Sequence, residues 1–181
     1  IISMLVATLG AYGFSRYRFP GSNGVLGFIL FTRVLPRVTV VIPFYITLRQ
    51  LDLINTYPGL VLVYLMVVMP VTVWMLKGFF DNIPFEIEEA ASIDGCSSLR
   101  ILFQIVLPIC LPALAAVGMY AFILSWNEFL FALIMTSDSS TRPISVGLAF
   151  YIDDRGIHWG ELMAASALMS IPVSYTHLTL P

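Results

Sequence analysis

The sequence is poor in charged residues. Charged side chains make up 11% of the 181 residues, apolar residues make up 59%, and the mean hydropathy is +0.90. A soluble domain has about 25% charged residues, and a chain of this size cannot bury so much apolar surface in one core. We therefore expect lipid to be its solvent. The formal net charge of −2 argues against a nucleic acid as a partner.

Cysteine and histidine are also scarce, with two residues of each type. Cys96 and Cys110 form no CxxC pair, and His158 and His177 have no partners at metal-ligand spacing. We expect neither a disulfide nor a metal site. We interpret the cysteines as small apolar packing residues and the histidines as surface or interface residues.

Motifs for nucleotide binding and catalysis are missing as well. Lys77 is the one lysine and Leu76 precedes it, so no GxxxxGK[ST] phosphate loop can be built around it. The sequence contains no HExxH, no GxSxG and no pair of carboxylates inside an apolar run. We predict that the chain is not an enzyme and binds no cofactor itself.

Five apolar runs are present, without the period-2 alternation of β-strands, and they predict an all-α fold of membrane-spanning helices. The third and fourth contain no charge and exceed the roughly 20 residues that cross a bilayer core. We expect the first and last runs to be incomplete, because one begins and the other ends abruptly. The runs cover residues 1–13, 25–48, 53–76, 101–127 and 160–173.

The segment between the third and fourth runs, residues 77–100, is the least membrane-like part of the chain. Pro84 favours a helix start, and the acidic residues after it suit the positive end of a helix dipole. We interpret Glu86 and Glu88 as solvated charges that flank this helix. The segment therefore begins with an extramembrane helix.

A glycine turn and a second helix are predicted next. Gly95, after Asp94, favours a helix stop because glycine readily adopts the left-handed conformation. Ser97 or Ser98 is then expected to cap the following helix. The sequence predicts a helix–turn–helix element in this loop.

The same loop contains the pattern EAA-x3-G-x9-I-x-LP. It resembles, position for position, the cytoplasmic EAA loop of permease subunits in binding-protein-dependent ABC importers. The resemblance implies that this loop forms a coupling helix that docks on a separate ATPase, with small alanines admitting the partner surface. The residues to which it assigns this role are Glu89, Ala90, Ala91, Asp94, Gly95, Ile105, Leu107 and Pro108.

Four further segments resemble the sugar-type branch of that family, which includes the second membrane subunit of the maltose importer. The resemblance extends from about residue 1 to Pro172. The segments are RYRFPG at residues 16–21, GFFDNIPFEIEEAASIDG at 78–95, SWNEFLFAL at 125–133 and RPISVGL at 142–148.

The resemblance implies a polytopic helical bundle of the type I ABC importer class, with about five membrane segments. It implies a permease domain over residues 1–173, truncated at its N-terminal side, with a coupling loop over residues 77–108. Residues 174–181 (SYTHLTLP) turn polar where the fifth run should continue, so we expect them to be a non-native tail.

The function that the resemblance implies is import of sugars or sugar derivatives across the bacterial plasma membrane. Its expected partners are two ATPase subunits that use ATP and Mg²⁺, a second permease, an extracytoplasmic solute-binding protein and membrane lipid. A non-sugar solute is an alternative. An ATPase-independent secondary transporter is another, but it would predict charges near the middle of the spans.

Two pairs of polar residues are candidates for the translocation path. Arg33 and Arg37 are four apart and are expected to share a helix face. They either line the path or pair with an acid of a partner, or they extend to the cytoplasmic interface. Asn127 and Glu128 either contact solute or anchor the span with Trp126 at the interface.

The orientation of the chain follows only weakly from charge. If the coupling loop is cytoplasmic, the positive-inside rule is satisfied by four basic residues against three. The loop over residues 137–158 would then lie outside. There it either meets a solute-binding protein or simply connects two spans. The four basic residues are Arg16, Arg18, Lys77 and Arg100, and the three are Arg49, Arg142 and Arg155.

Overall fold

The computed structural model describes residues 1–17, 19–153 and 156–179. Arg18 and Arg155, which entered the charge-based orientation, lie outside the described residues. The described chain is mostly helical, as the apolar runs predict, with one short 3-10 helix at Leu148–Tyr151 and one small hairpin. The helices are α1 Ile2–Arg16, α2 Ser22–Phe31, α3 Arg37–Gln50, α4 Tyr57–Asp81, α5 Phe85–Ile93, α6 Ser98–Ile109, α7 Leu111–Trp126, α8 Leu130–Met135, α9 Ile144–Gly147 and α10 Trp159–Thr179.

The hairpin lies between α9 and α10. Its strands, β1 (Ile152–Asp153) and β2 (Gly156–Ile157), pair antiparallel. Ile152 pairs with Ile157 and Asp153 with Gly156. Both strands are exposed, so the hairpin belongs to the surface of the polar segment that precedes α10.

Within the described residues, one helix is long and apolar enough to cross a membrane by itself. This is α4, with 25 residues and a mean hydropathy of 2.3 over its most apolar window. Helices α6 and α7 qualify only when they are taken together as one broken span. The all-α fold is therefore confirmed, whereas the number of five membrane segments is not.

The second apolar run forms two helices, and not the single span that its length predicts. Helix α2 ends at Phe31 and α3 begins at Arg37, with turns between them. Pro36 precedes α3 and is extended, with ψ of 123°. A proline has no N–H to donate and disfavours helical backbone in the residue before it, which explains the interruption.

The fourth run is bent by 84° between α6 and α7, at Cys110. Pro112 follows the bend and cannot donate to the carbonyl of Pro108, four residues earlier. A π-helical turn over Leu102–Val106 lies before it. This run is therefore two helices joined at a sharp bend.

The chain forms two compact units. The first consists of Ile1–Val34 and Val67–Ala121. Its core contains apolar side chains from α1, α4, α5, α6 and α7. The largest that are fully buried are Phe80, Leu76 and Leu102. Burial of such side chains contributes about 1.5–3 kcal/mol each to a fold in water; in a bilayer, close packing replaces part of this driving force.

The second unit consists of Leu35–Met66 and the chain from Phe122 onward. Phe131 of α8 is fully buried and meets Phe44 of α3 edge to face, with ring centroids 6.4 Å apart. Edge-to-face packing of this kind adds to the stabilisation from buried area alone. Leu48, Met135 and Val146 are also buried in this unit.

Candidate functional site

Helix α5 carries the EAA sequence, and local chemistry sets both of its ends. Pro84 precedes it with a φ of −57°. At the other end, Gly95 has a φ of +83°. The N–H of Cys96 donates to the carbonyl of Ala91 at 3.0 Å, and the N–H of Gly95 donates to that of Ser92 at 3.0 Å. These two bonds form the Schellman motif that glycine favours, so the predicted stop at Gly95 is confirmed.

The helix after the turn begins as predicted but without the predicted side-chain cap. Ser97 is the N-cap of α6, and its carbonyl accepts the N–H of Ile101 at 2.9 Å. No side-chain capping bond from Ser97 is present. Backbone bonding therefore starts this helix.

The two faces of α5 differ in what they meet. Glu88 and Ala91 are its buried residues, each 8% exposed. Glu89 and Ala90 are exposed, and Ile93 at the end is 87% exposed. The expectation that both alanines admit a partner surface is therefore wrong for Ala91, which packs into the core of its own chain. Ala90 remains available to a partner.

The exposed face of α5 combines two carboxylates, one small residue and apolar side chains. Besides Glu89, Ala90 and Ile93, it includes Phe85, Glu86 and Ile87, which are also exposed. Apolar side chains next to a charged one, on a helix held at a chain surface, are typical of a helix that lies in a groove of another protein. We call these six residues the docking face.

Glu88 has a different environment from the one predicted. The expectation that it is a solvated flank charge is wrong, because its carboxylate is bound on both oxygens. The hydroxyl of Tyr12 donates to Oε2 at 2.7 Å, and Nε of Arg16 donates to Oε1 at 2.5 Å. Glu88 lies three residues before Ala91, so both occupy the same inner face of α5. Glu86, in contrast, is exposed as predicted.

Arg16, the last residue of α1, connects three helices. Besides Glu88, its guanidinium donates to the carbonyl of Phe80 at 2.9 Å and to that of Ile83 at 3.2 Å. These carbonyls lie at and just beyond the C-terminal end of α4, where unpaired acceptors and the helix dipole favour a cation. The guanidinium also stacks over the ring of Phe85, 4.4 Å from its centroid.

Sequence reasoning missed Tyr12 and Arg16. It recognised RYRFPG as part of a family pattern but assigned no role to Arg16. Arg16 and Tyr12 lie 72 and 76 positions before Glu88, so no local periodicity could show that they contact it. The sequence offered two signals: a basic residue at the end of an apolar helix, and an acidic residue on an amphipathic helix.

The remaining residues of the EAA pattern lie on α6 and in the turn before it. Ile105 and Leu107 are half-buried and pack against the core of the first unit. Pro108, Asp94 and Gly95 are exposed. All eight residues of the EAA pattern thus belong to the first unit, but only some of their side chains are exposed.

Arg33 and Arg37 do not share a helix face, so that expectation is wrong. Arg33 lies in the turn after α2, and Arg37 is the first residue of α3. Arg33 donates to the carbonyl of Val67 at 2.9 Å, while the side chain of Arg37 is exposed. The interruption at Pro36 removes the continuous helix that the four-residue spacing requires.

Asn127 and Glu128 also differ in environment. Glu128 is 2% exposed, and its carboxylate accepts the N–H groups of Phe131 at 3.1 Å and Ala132 at 3.0 Å. It therefore caps the start of α8. Asn127 is exposed and donates to the carbonyl of Ile123 at 2.9 Å. Trp126 donates through Nε1 to the carbonyl of Met169 at 3.0 Å.

A second polar cluster is organised by Asn55 in the second unit. Its Oδ1 accepts the N–H groups of Ser137 at 2.9 Å and Asp138 at 3.0 Å, and the hydroxyl of Thr141 at 2.7 Å. Its amide nitrogen donates to the carboxylate of Asp138. Asn55 has a φ of +61°, a backbone conformation that asparagine tolerates better than most residues. Asn55 thus holds the start of the polar segment at 137–158, together with Tyr57, whose hydroxyl donates to the carbonyl of Ser140 at 2.7 Å.

Replacing Asn55 with alanine is expected to release this turn. The amide hydrogens of Ser137 and Asp138 would lose their acceptor, at about 1 kcal/mol for each hydrogen bond. Hydrogen exchange of the peptide containing them should become about tenfold faster or more. Asn82→Ala is the control, because the Asn82 amide bonds only within its own turn, to the carbonyl of Gly78. Unchanged exchange in Asn55→Ala would contradict the role of Asn55.

No group of three or more histidine, cysteine, aspartate or glutamate side chains that could hold a metal ion occurs among the residues that the structure describes. Both cysteines are unpaired thiols, with Cys110 buried and Cys96 partly so. What the first unit offers chemically is a helix anchored by a buried ion pair on one side and open to a partner on the other.

Comparison with known proteins agrees with this description. Curated relatives include the sulfoquinovosyl glycerol transport system permease SmoH of Agrobacterium fabrum, 34% identical over 96% of this chain and 61% of its own length. The trehalose/maltose permease MalG of Thermococcus litoralis is 34% identical over 96% of this chain and 63% of its own length. The chain thus spans less than two thirds of the length of these two relatives.

A solved structure has the same fold. It is that of a bacterial ABC transporter involved in import of the acidic polysaccharide alginate. The match has a TM-score of 0.78 and 25% identity, and it covers 98% of this chain and 67% of that one. The family described as the inner membrane component of binding-protein-dependent transport systems matches residues 2–176. The chain therefore belongs to this family of inner membrane components.

Proposed function

We propose that this chain is the membrane-spanning permease subunit of an ATP-driven importer of sugars or sugar derivatives. ATP hydrolysis resides in separate ATPase subunits, and the chain itself binds no cofactor and carries out no chemistry. Its work is alternating access, in which ATP-driven closure of the ATPases reorients the membrane helices about a central path. Such coupling is a rigid-body, two-state transition.

The observation that supports this proposal best is the geometry of α5. It is a nine-residue helix with one buried anchor face and one exposed docking face. So short a helix is marginal in isolation, so the rest of the chain must hold it in place. A helix that is presented in this way suits transmission of movement from a partner. Glu89 and Ala90 are the proposed points of ATPase contact, with Ala91, Asp94, Gly95, Ile105, Leu107 and Pro108 shaping the segment.

The proposed solute is a sugar, because the relatives include a trehalose/maltose permease and a sulfoquinovosyl glycerol permease. The proposed assembly contains a second permease, two ATPase subunits and an extracytoplasmic binding protein, in a bacterial plasma membrane that this chain crosses several times, in about five segments. Translocation-path roles for Arg33, Arg37, Asn127 and Glu128 are also proposals. Because Glu128 caps the start of α8, its proposed role is to position that helix beside the path.

Cysteine cross-linking tests the docking of the ATPase. In a background without Cys96 and Cys110, we expect Ala90→Cys to cross-link to a cysteine in the cleft of the co-expressed ATPase. Ala91→Cys is the matched control, because the adjacent side chain is buried in its own chain and should cross-link poorly. Equal cross-linking at both positions, or none at Ala90 in an intact assembly, would contradict the proposal.

A further inference from the structure

Helix α5 contacts the helices behind it through two buried side chains, Glu88 and Ala91, and through the half-exposed ring of Phe85, over which the Arg16 guanidinium stacks. Ala91 contributes a small apolar contact, whereas Glu88 contributes two hydrogen bonds, one of them an ion pair. Apolar contacts of one methyl group are weak and non-directional, whereas charge-assisted hydrogen bonds fix orientation. The orientation of α5 relative to α1 and α4 therefore depends mainly on Glu88.

The partner of Glu88 is itself held from several directions. The Arg16 side chain is 5% exposed and the Glu88 side chain 10%. The guanidinium also donates to Phe80 and Ile83 carbonyls and to the hydroxyl of Ser15 at 3.1 Å. A planar guanidinium with its donors in a fixed geometry cannot follow one partner without disturbing the others. Displacement of Glu88 is thus transmitted to the ends of α1 and α4 together.

We infer that Arg16, Glu88 and Tyr12 form a positioning lock that makes α5, α1 and the end of α4 move as one rigid body when an ATPase pulls on the docking face. This inference rests on the proposed function and assigns a role to residues outside the docking face. The lock touches neither solute nor ATPase. Its effect is to prevent α5 from pivoting on its own when it is loaded.

The exposed ion pair on the same surface provides a contrast. Lys77 and Asp81 are four residues apart on α4 and are joined at 2.6 Å. Both belong to one helix, and Lys77 itself bonds only within it. Asp81 also accepts the hydroxyl of Ser15 of α1 at 2.6 Å, a contact that does not involve Lys77. Exposed pairs are also screened and contribute little to rigidity. Neutralising Lys77 therefore removes a nearby charge and leaves in place every hydrogen bond that Arg16, Glu88 and Tyr12 make.

Distance measurements between spin labels test the inference directly. One label replaces Val6 of α1 and the other Ser92 of α5, both exposed and outside the docking face, in a chain without Cys96 and Cys110. The chain is purified with its co-expressed ATPase and measured without nucleotide and after trapping with ATP and vanadate. In the labelled protein with Arg16, Glu88 and Tyr12 unchanged, we expect one narrow distance distribution that is the same with and without trapped nucleotide.

The test variant is Glu88→Gln, which keeps the shape of the side chain and removes its charge. We expect its distribution to become about twofold wider without nucleotide, and its mean to differ between the two states because α5 then moves without α1. Lys77→Gln should behave like the wild type. A role in folding alone would lower the yield without producing a distance that depends on nucleotide.

An unchanged, narrow distribution in Glu88→Gln in both states would overturn the inference. Failure of the proposed function gives a different pattern. In that case Ala90→Cys does not cross-link and no variant responds to nucleotide, while widening of the distribution in Glu88→Gln without nucleotide still reports the lock.

Discussion

Gly59→Ala is expected to prevent stable folding of the second unit. A Cβ at this position would lie 2.0 Å from the carbonyl oxygen of Leu53 and 3.0 Å from its carbon. Both atoms belong to the backbone of the link between α3 and α4, so no side chain can rotate away. We expect a loss of about 3 kcal/mol or more, at the upper end of overpacking costs. The loss of stability can be measured by heating the detergent-purified protein and determining the fraction that remains monodisperse in size-exclusion chromatography.

The reason for this close approach lies in the link itself. The Thr56 hydroxyl donates to the Leu53 carbonyl at 2.8 Å and accepts the N–H of Gly59 at 3.2 Å, so it caps the start of α4. Asp52 and Asn55 have positive φ values of 53° and 61°. The link is therefore tightly turned, and the Leu53 carbonyl cannot retreat without breaking the cap.

Gly78→Ala is the matched control for Gly59→Ala. Gly78 lies in the same helix, and an added Cβ there would meet nothing within 4 Å. Alanine has a better helix propensity than glycine by about 1 kcal/mol, so this substitution should leave stability unchanged or raise it. Equal behaviour of the two variants would contradict the packing around Gly59.

Arg16→Met is the second substitution with a large expected effect. It removes the partner of the buried Glu88 carboxylate and the donor to the carbonyls of Phe80 and Ile83. Leaving one member of a buried ion pair without its partner costs about 3–5 kcal/mol. We expect a large drop in the unfolding temperature of the purified protein, or its absence from the membrane fraction.

Two controls interpret the Arg16→Met result. Lys77→Met breaks an exposed ion pair and should cost no more than about 1 kcal/mol. The double variant Arg16→Met/Glu88→Met removes both buried charges, and it should regain much of the lost stability because no unpaired charge remains. A double variant as unstable as the single one would show that the carbonyl contacts of Arg16, and not the ion pair, dominate.

The helical architecture and the position of α5 could be predicted from sequence because both follow from local chemistry. Apolar runs of sufficient length, interrupted by charges, indicate membrane helices. The ends of α5 follow from Pro84 and Gly95, whose backbone preferences act within a few residues. The spacing of the EAA pattern located the candidate site for the same reason.

The bends and interruptions of the apolar runs were less predictable. Pro36 and Pro112 are visible in the sequence, but proline is tolerated in many membrane helices when neighbouring groups replace the lost hydrogen bond. Composition alone cannot decide whether such a residue only kinks a span or divides it. The break between Phe31 and Arg37, and with it the separation of Arg33 from Arg37, became evident only from the folded backbone.

By itself, the sequence determined that this protein is helical, suited to lipid and equipped with an EAA loop in which α5 ends at Gly95. Only the tertiary structure decided which face of α5 is available to a partner. It buried Glu88 and Ala91 and left Glu89 and Ala90 exposed. The physical reason is that burying the Glu88 carboxylate costs desolvation free energy, which its ion pair with Arg16 offsets. Arg16 is 72 positions away in the sequence. The periodicity of a sequence shows which residues share a face of one helix, whereas burial of that face depends on the side chains of the helices that pack against it.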